Sequence, residues 1–168
     1  MTLPQNDIWH QVYSGQWYQT HHPVLMQARA VAKTLCCKLN QLSSADQIAR
    51  NTLLKQLLPH VQTIELGNDF ACDYGINIYA SGSLFLGNQV VLLDAAAIRF
   101  GKDVSVGDGV VFASLTHPLE AARRKAGWQQ ARPIEIGDNV TIGEGSTILP
   151  GVVIAANQQL APGSVVTR

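Results

Sequence analysis

Residues 136–168 read IGDNVT IGEGST ILPGVV IAANQQ LAPGSV VTR, and residues 100–117 read FGKDVS VGDGVV FASLTH. An aliphatic or aromatic residue opens each hexad and Gly or Ala usually follows. A small or β-branched residue stands fifth: Val104, Val110, Thr116, Val140, Ser146, Val152 and Ser164. A fixed six-residue period marks a repeat architecture in which each unit stacks on its neighbours. The spacing predicts a coil of short parallel strands, with each opening side chain pointing inward and Gly, Asn and Asp accepting turn geometry at the corners. Upstream the pattern is rougher, with LGNDFA, CDYGINI and LFLGNQVV separated by two shifts of phase. Gln158 puts an amide where a small inward residue is expected, and a buried amide needs partners.

Between the two regular runs lies SLTHPLEAARRKAGWQQARPIEIGDN, residues 114–139. With Phe112 and Thr116 inward, His117 in the sixth position points outward at the rim of the coil. The next 18 residues, 118–135, fit no hexad and are expected to leave the coil as an excursion. Loops longer than about 12–15 residues in compact domains are usually functional or disordered. The basic and aromatic RRKAGW suits a cover over a pocket. His117 is then either a surface histidine at a turn or a group with chemistry to do. His10, His21, His22 and His60 lie outside the coil, so no three-histidine zinc site forms there unless another chain contributes, and no metal is expected.

Ahead of the coil the apolar period is helical, at Leu25, Ala28, Ala32, Leu35 and Leu39 and again at Ile48, Leu53, Leu54, Leu57 and Leu58. Ser44, with Gln47 three residues on, reads as the N-cap of the second helix, and Pro59 ends it. The chain thus divides into a helical amino-terminal segment, 1–61, and a coil domain, 62–168. The aromatic WHQVYSGQWY (9–18) is either a hydrophobic clasp or a lid. Twelve Lys and Arg balance twelve Asp and Glu, for a formal net charge of +0, which gives no footprint for nucleic acid or an anionic membrane. The opening MTLPQNDIWHQVYSG lacks the features of a signal peptide, and VVLLDAAAI is far short of the roughly 20 residues a membrane span needs. A cytoplasmic protein is expected. Cys36, Cys37 and Cys72 form no disulfide framework and read as buried or half-buried thiols.

CDYGINI (72–78), LLD (92–94), THPLEAARRKAG (116–127), PIEIGDNVTIGEGSTILPGVVI (133–154) and APGSVVTR (161–168) together resemble the maltose and galactoside O-acetyltransferases. Gly15, Tyr18, Leu25, Arg29, Leu35 and Asn40 extend the resemblance through the helical head. It implies a left-handed parallel β-helix assembled as a homotrimer, with active sites in the clefts between neighbours. Outward apolar residues such as Val91, Val111, Val153 and Val165 suit such an assembly. The implied reaction moves acetyl from acetyl-CoA to a sugar hydroxyl, with His117 matching the catalytic base. A hydroxyl is a poor nucleophile near neutrality, and an imidazole, ordinarily titrating near ~6.5, can take its proton as it attacks. The family's backbone oxyanion donor maps to Glu144. Asp73 and Asp94 stand as sugar-binding carboxylates, and Glu144, Pro162, Thr167 and Arg168 match positions along the CoA groove.

Several positions depart from the family. Its oxyanion asparagine maps to Gly87, with Asn88 one residue away. Its acceptor-binding acids map to Thr20 and Ala95, and a usual tryptophan is Thr141. Relatives continue past VVTKD into an arginine-bearing CoA segment, whereas this sequence stops at Arg168, so nucleotide affinity is expected to be weaker or supplied differently. Two functions follow: an active sugar O-acetyltransferase, or a trimeric binding or structural subunit with impaired turnover.

Overall fold

The computed structural model describes residues 7–168; the first six residues of the amino-terminal stretch lie outside them. The hexads build a left-handed parallel β-helix, a solenoid of about five turns. The first coil comprises β2 (Thr63–Leu66), β3 (Ala71–Cys72) and β4 (Ile78–Ala80), and the second β5 (Ser83–Leu86), β6 (Val91–Leu93) and β7 (Ile98–Phe100). The third has β8 (Val104–Val106), β9 (Val111–Ala113) and β12 (Ile134–Ile136). Between β9 and β12 come β10 (Leu115–Thr116), α4 (Ala121–Lys125) and β11 (Trp128–Ala131). The fourth coil holds β13 (Thr141–Ile142), β14 (Thr147–Ile148) and β15 (Val153–Ile154), and the fifth β16 (Gln159–Leu160) and β17 (Val165–Val166). Parallel pairing stacks them into a first face β2-β5-β8-β13-β16, a second face β3-β6-β9-β14-β17 and a third face β4-β7-β12-β15.

The hexad openers Phe100, Val106, Phe112, Ile136, Ile142, Ile148 and Ile154 are all buried, as are Val104, Val110, Val140, Ser146 and Val152 in the fifth position. Each large aliphatic or aromatic side chain so buried contributes roughly 1.5–3 kcal/mol relative to exposure. Asp69, Gln89, Asp103, Asn139 and Asn157 turn the corners with φ between 55 and 63°. That left-handed backbone explains the Asp, Asn and Gly that recur there.

The upstream shifts of phase have a structural cause. Leu66 pairs with Leu86 and Leu86 with Val106, steps of twenty residues, whereas Ile142 pairs with Leu160, a step of eighteen. The two extra residues per turn fall at the corner between the second and third faces, in 73–77 and again in 94–97. The third coil releases its long insertion from the same corner, so three insertions stack along one edge.

The excursion spans 115–133 rather than 118–135. Ser114 is the last inward residue; its hydroxyl donates to Leu93 O at 2.8 Å and accepts from Ala96 N at 2.9 Å. Thr116, expected inward, is exposed because Leu115 and Thr116 already pair antiparallel with Ala131 and Gln130. Ile134 is back in the third face opposite Ile98.

The head comprises α1 (Asp7–Tyr13), β1 (Trp17–Gln19), α2 (Pro23–Gln41) and α3 (Gln47–Leu57). Leu39, Leu54, Leu57 and Leu58 join Phe70, Ile78 and Leu84 in one core, closing the first coil. The aromatic segment is a clasp: Trp9 is buried, stacks on Tyr13 with centroids 5.4 Å apart, and meets Tyr74 edge-on at 5.1 Å. Asp46, not Ser44, caps α3, accepting from Ala49 N at 3.2 Å, because a turn closed by Asp46 N to Ser43 O carries the chain past Ser44. Cys37 is exposed, one helical step from buried Cys36, whose Sγ lies 3.7 Å from that of Cys72. Gln158 sits on the uncovered fifth coil, is exposed, and so needs no buried partner. Among the described residues no helix is long and apolar enough to cross a membrane.

Candidate active site

The edge with the three insertions gathers most of the residues singled out in the sequence. In the first two coils it is built around Asp94, which is fully buried. Its Oδ1 accepts from Tyr74 N at 2.8 Å and its Oδ2 from Asn77 N at 3.2 Å, while the Asn77 amide donates back to Asp94 O at 2.7 Å. Burial pushes the Asp94 carboxyl up to about 8, against the opposing pull of those N–H bonds. Both oxygens thus brace one insertion against the next, and the carboxyl is shut away from the surface.

Asp73 differs. It is half-buried and lines an open cavity of about 400 Å3 with Arg29, Lys33 and Cys72. Burial raises its carboxyl above the ordinary range, opposed by the positive charge of Arg29. Arg29 ties head to solenoid, donating to Tyr74 Oη and to Thr20 O, each at 2.6 Å.

The third insertion folds into structure rather than a bare loop. β11 pairs antiparallel with β10 on one side and with β1 of the head on the other. Arg123 lies between two indoles, 4.8 Å from the Trp17 ring and 5.4 Å from that of Trp128, and fixes the outer side of this sheet. His117 follows β10, is exposed, and precedes buried Pro118. Its Nε2 lies 3.3 Å from Gln129 Nε2, and Gln129 Oε1 accepts from Tyr18 Oη at 3.1 Å.

Thr167 and Arg168 reach the same edge two coils on, where with Thr116 and Arg132 they line a surface cavity of about 360 Å3. Glu144 and Pro162 do not. They occupy the corner between the first and second faces, in the fourth and fifth coils. Among the described residues nothing accepts from Glu144 N, although its carbonyl takes Gly163 N at 2.8 Å. That free donor and the histidine edge are separated by the second face, about six residues or at most roughly 20 Å of strand.

Gly87 stands at the same corner as Glu144. A Cβ there would meet the Asp108 carboxylate and lie 2.9 Å from Asp108 N and 3.0 Å from Gly107 C. Asn88 cannot supply the amide by a slip, since Oδ1 accepts from Asn68 N at 2.9 Å and Nδ2 donates to Asp108 Oδ2 at 3.1 Å. Gln129 was not apparent from the sequence: strands of two to four residues carry no readable period, and its partner Tyr18 is remote in the chain.

Residues 12–62 match the maltose acetyltransferase hexapeptide capping motif, and residues 133–168 the bacterial transferase hexapeptide of six repeats. A Saccharomyces cerevisiae protein named as an acetyltransferase is 34% identical over 159 residues, which is 94% of this chain and 81% of the relative. The chain belongs to the hexapeptide-repeat acetyltransferases related to maltose O-acetyltransferase. Among solved structures, the Clostridium difficile maltose O-acetyltransferase superposes on this acetyltransferase with a TM-score of 0.91 at 31% identity, covering 96% of this chain and 87% of that one. A galactoside acetyltransferase in complex with coenzyme A gives 0.83 at 25% identity, covering 99% and 82%.

Proposed function

We propose that this acetyltransferase moves acetyl from acetyl-CoA to a hydroxyl of a sugar or related small molecule, with His117 as general base and Asp73 among the acceptor ligands. The observation that carries the reading is the placement of an exposed imidazole and a half-buried carboxylate on the same edge, built by three stacked insertions. The hydroxyl proton passes to His117 as the oxygen attacks the thioester carbon. The tetrahedral intermediate then expels the CoA thiolate, which recovers the proton, leaving an acetyl ester and a free thiol. Its oxyanion needs a donor already in place, and Glu144 N is free. Pro162, Thr167 and Arg168 suit the walls of the CoA groove, and Asp94 takes a bracing role instead of a sugar-binding one.

A base and an oxyanion donor must both reach one carbonyl, yet in a single chain they stand on opposite sides of the second face. This supports a homotrimer in which one chain's histidine edge meets a neighbour's Glu144 corner. Val91, Val111 and Val165 line the outside of that face, and Val165 is 67% exposed. Unpaired cysteines suit a reducing cytoplasm.

The test is thiol release from acetyl-CoA over a panel of sugars. Turnover on at least one, falling by about 100-fold or more in His117→Asn with the melting temperature unchanged, is expected. The second reading, a binding subunit with impaired turnover, draws on Gly87, whose position has no room for an amide side chain. It predicts CoA binding without acetyl transfer to any sugar.

A further inference from the structure

We propose that Gln129, held by Tyr18, is a positioning residue that fixes the tautomer of His117, keeping Nε2 unprotonated and Nδ1 protonated. The inference rests on the general-base reading of His117, and adds which ring nitrogen takes the proton and what keeps it ready.

Cross-strand register supplies the geometry. Tyr18 stands opposite Gln129 in the β1–β11 pair, and Thr116 opposite Gln130 in the β10–β11 pair. Alternation along the strands puts Tyr18, Gln129 and His117 on one side of this small sheet. Tyr18 is fully buried, and burial holds its phenol well above the ordinary range, so it remains a donor at working pH. Among the described residues Gln129 Oε1, at 3.1 Å, is its recorded acceptor. A buried hydroxyl left without an acceptor is costly, so the phenol selects which end of the amide faces it.

With Oε1 turned to Tyr18, the amide nitrogen faces His117 Nε2 at 3.3 Å. An amide NH2 only donates, so Nε2 must accept, and the ring proton resides on Nδ1. The lone pair wanted for a hydroxyl proton is thereby presented at the exposed nitrogen. The contact is long for a hydrogen bond, so an acceptor hydroxyl can displace it at little cost. Arg123 packs against the opposite side of the sheet and takes no part.

The experiment combines imidazole nitrogen NMR on the intact protein with kinetics, using Gln129→Leu, Gln129→Glu and Tyr18→Phe. The His117 signals are assigned by their loss in His117→Asn. Wild type is expected to show Nε2 unprotonated, whereas Gln129→Leu and Tyr18→Phe shift population toward the Nε2-protonated form. The carboxylate of Gln129→Glu accepts instead of donating, so it places the proton on Nε2 and favours the charged ring. Turnover should fall on the order of tenfold in Gln129→Leu with acceptor KM within about twofold. In Gln129→Glu the acid limb of the rate profile should move up by about one pH unit or more. Wild type carrying its proton on Nε2, or an unchanged tautomer in folded Gln129→Leu, would overturn the proposal. Because NMR reads the tautomer without turnover, a protein inactive on every sugar would count against the proposed reaction and leave this test intact.

Discussion

Asp94 shows how much a residue's role depends on what the fold stacks around it. In the sequence it closes the LLD motif and reads as a sugar-binding carboxylate; in the structure it is sealed, with two backbone N–H groups on its oxygens. Its raised carboxyl gives a pH signature with a definite sign. Below about 4, both the folded and the unfolded chain hold this proton. Between about 4 and the folded value of about 8, the unfolded chain releases it while the folded chain keeps it. The stability Asp94 contributes therefore falls across that window and levels above it. Asp94→Asn removes the titration, so the stability gap between wild type and variant should narrow from pH 4.5 to 7.5, read from urea midpoints. A gap that widened with pH would show the carboxylate ionised inside the fold, held by Tyr74 and Asn77.

At the scale of the coil, the openers and corners were legible because a six-residue period leaves few places for a large apolar side chain or a left-handed turn. The exact exit of the excursion was not, since Ser114 and Thr116 are both plausible inward residues. Only the pairing of Leu115 and Thr116 with β11 separates them. Chain numbering also hid the three-strand sheet that joins head and excursion, because its partners lie more than a hundred residues apart. At the corner itself, Gly87 is hemmed in by the next turn of the coil. Restoring the family's asparagine there need not restore its function, because a side chain at this position collides with the backbone of the next turn. Overpacking of this kind costs about 1–3 kcal/mol. Gly87→Asn should lower the melting temperature without raising turnover. A folded, faster variant would mean that Asp108 yields and that the missing amide limits the rate.

The whole molecule raises the question of where one catalytic centre can be assembled. The histidine edge and the Glu144 N–H, which has no acceptor among the described residues, flank the second face of each chain, so a site shared between neighbouring chains is the arrangement that brings both to a single carbonyl. The fold offers a clean way to remove that N–H, because the equivalent corner one turn later is already a proline: Pro162 between Ala161 and Gly163 matches Glu144 between Gly143 and Gly145. Glu144→Pro should fold, and it should lose about 100-fold in turnover if this N–H stabilises the oxyanion. His117→Asn should be equally inactive for a different reason. When the two variants are unfolded together in equal amounts and refolded, mixed trimers contain sites that pair an intact His117 from one chain with an intact Glu144 from its neighbour. Random assembly makes about a quarter of all sites of this kind, so activity should return toward a quarter of wild type. A mixture no more active than its parents, from preparations shown by light scattering to be mixed trimers, would place base and oxyanion donor in the same chain. A monomer at micromolar concentration would remove the shared site altogether.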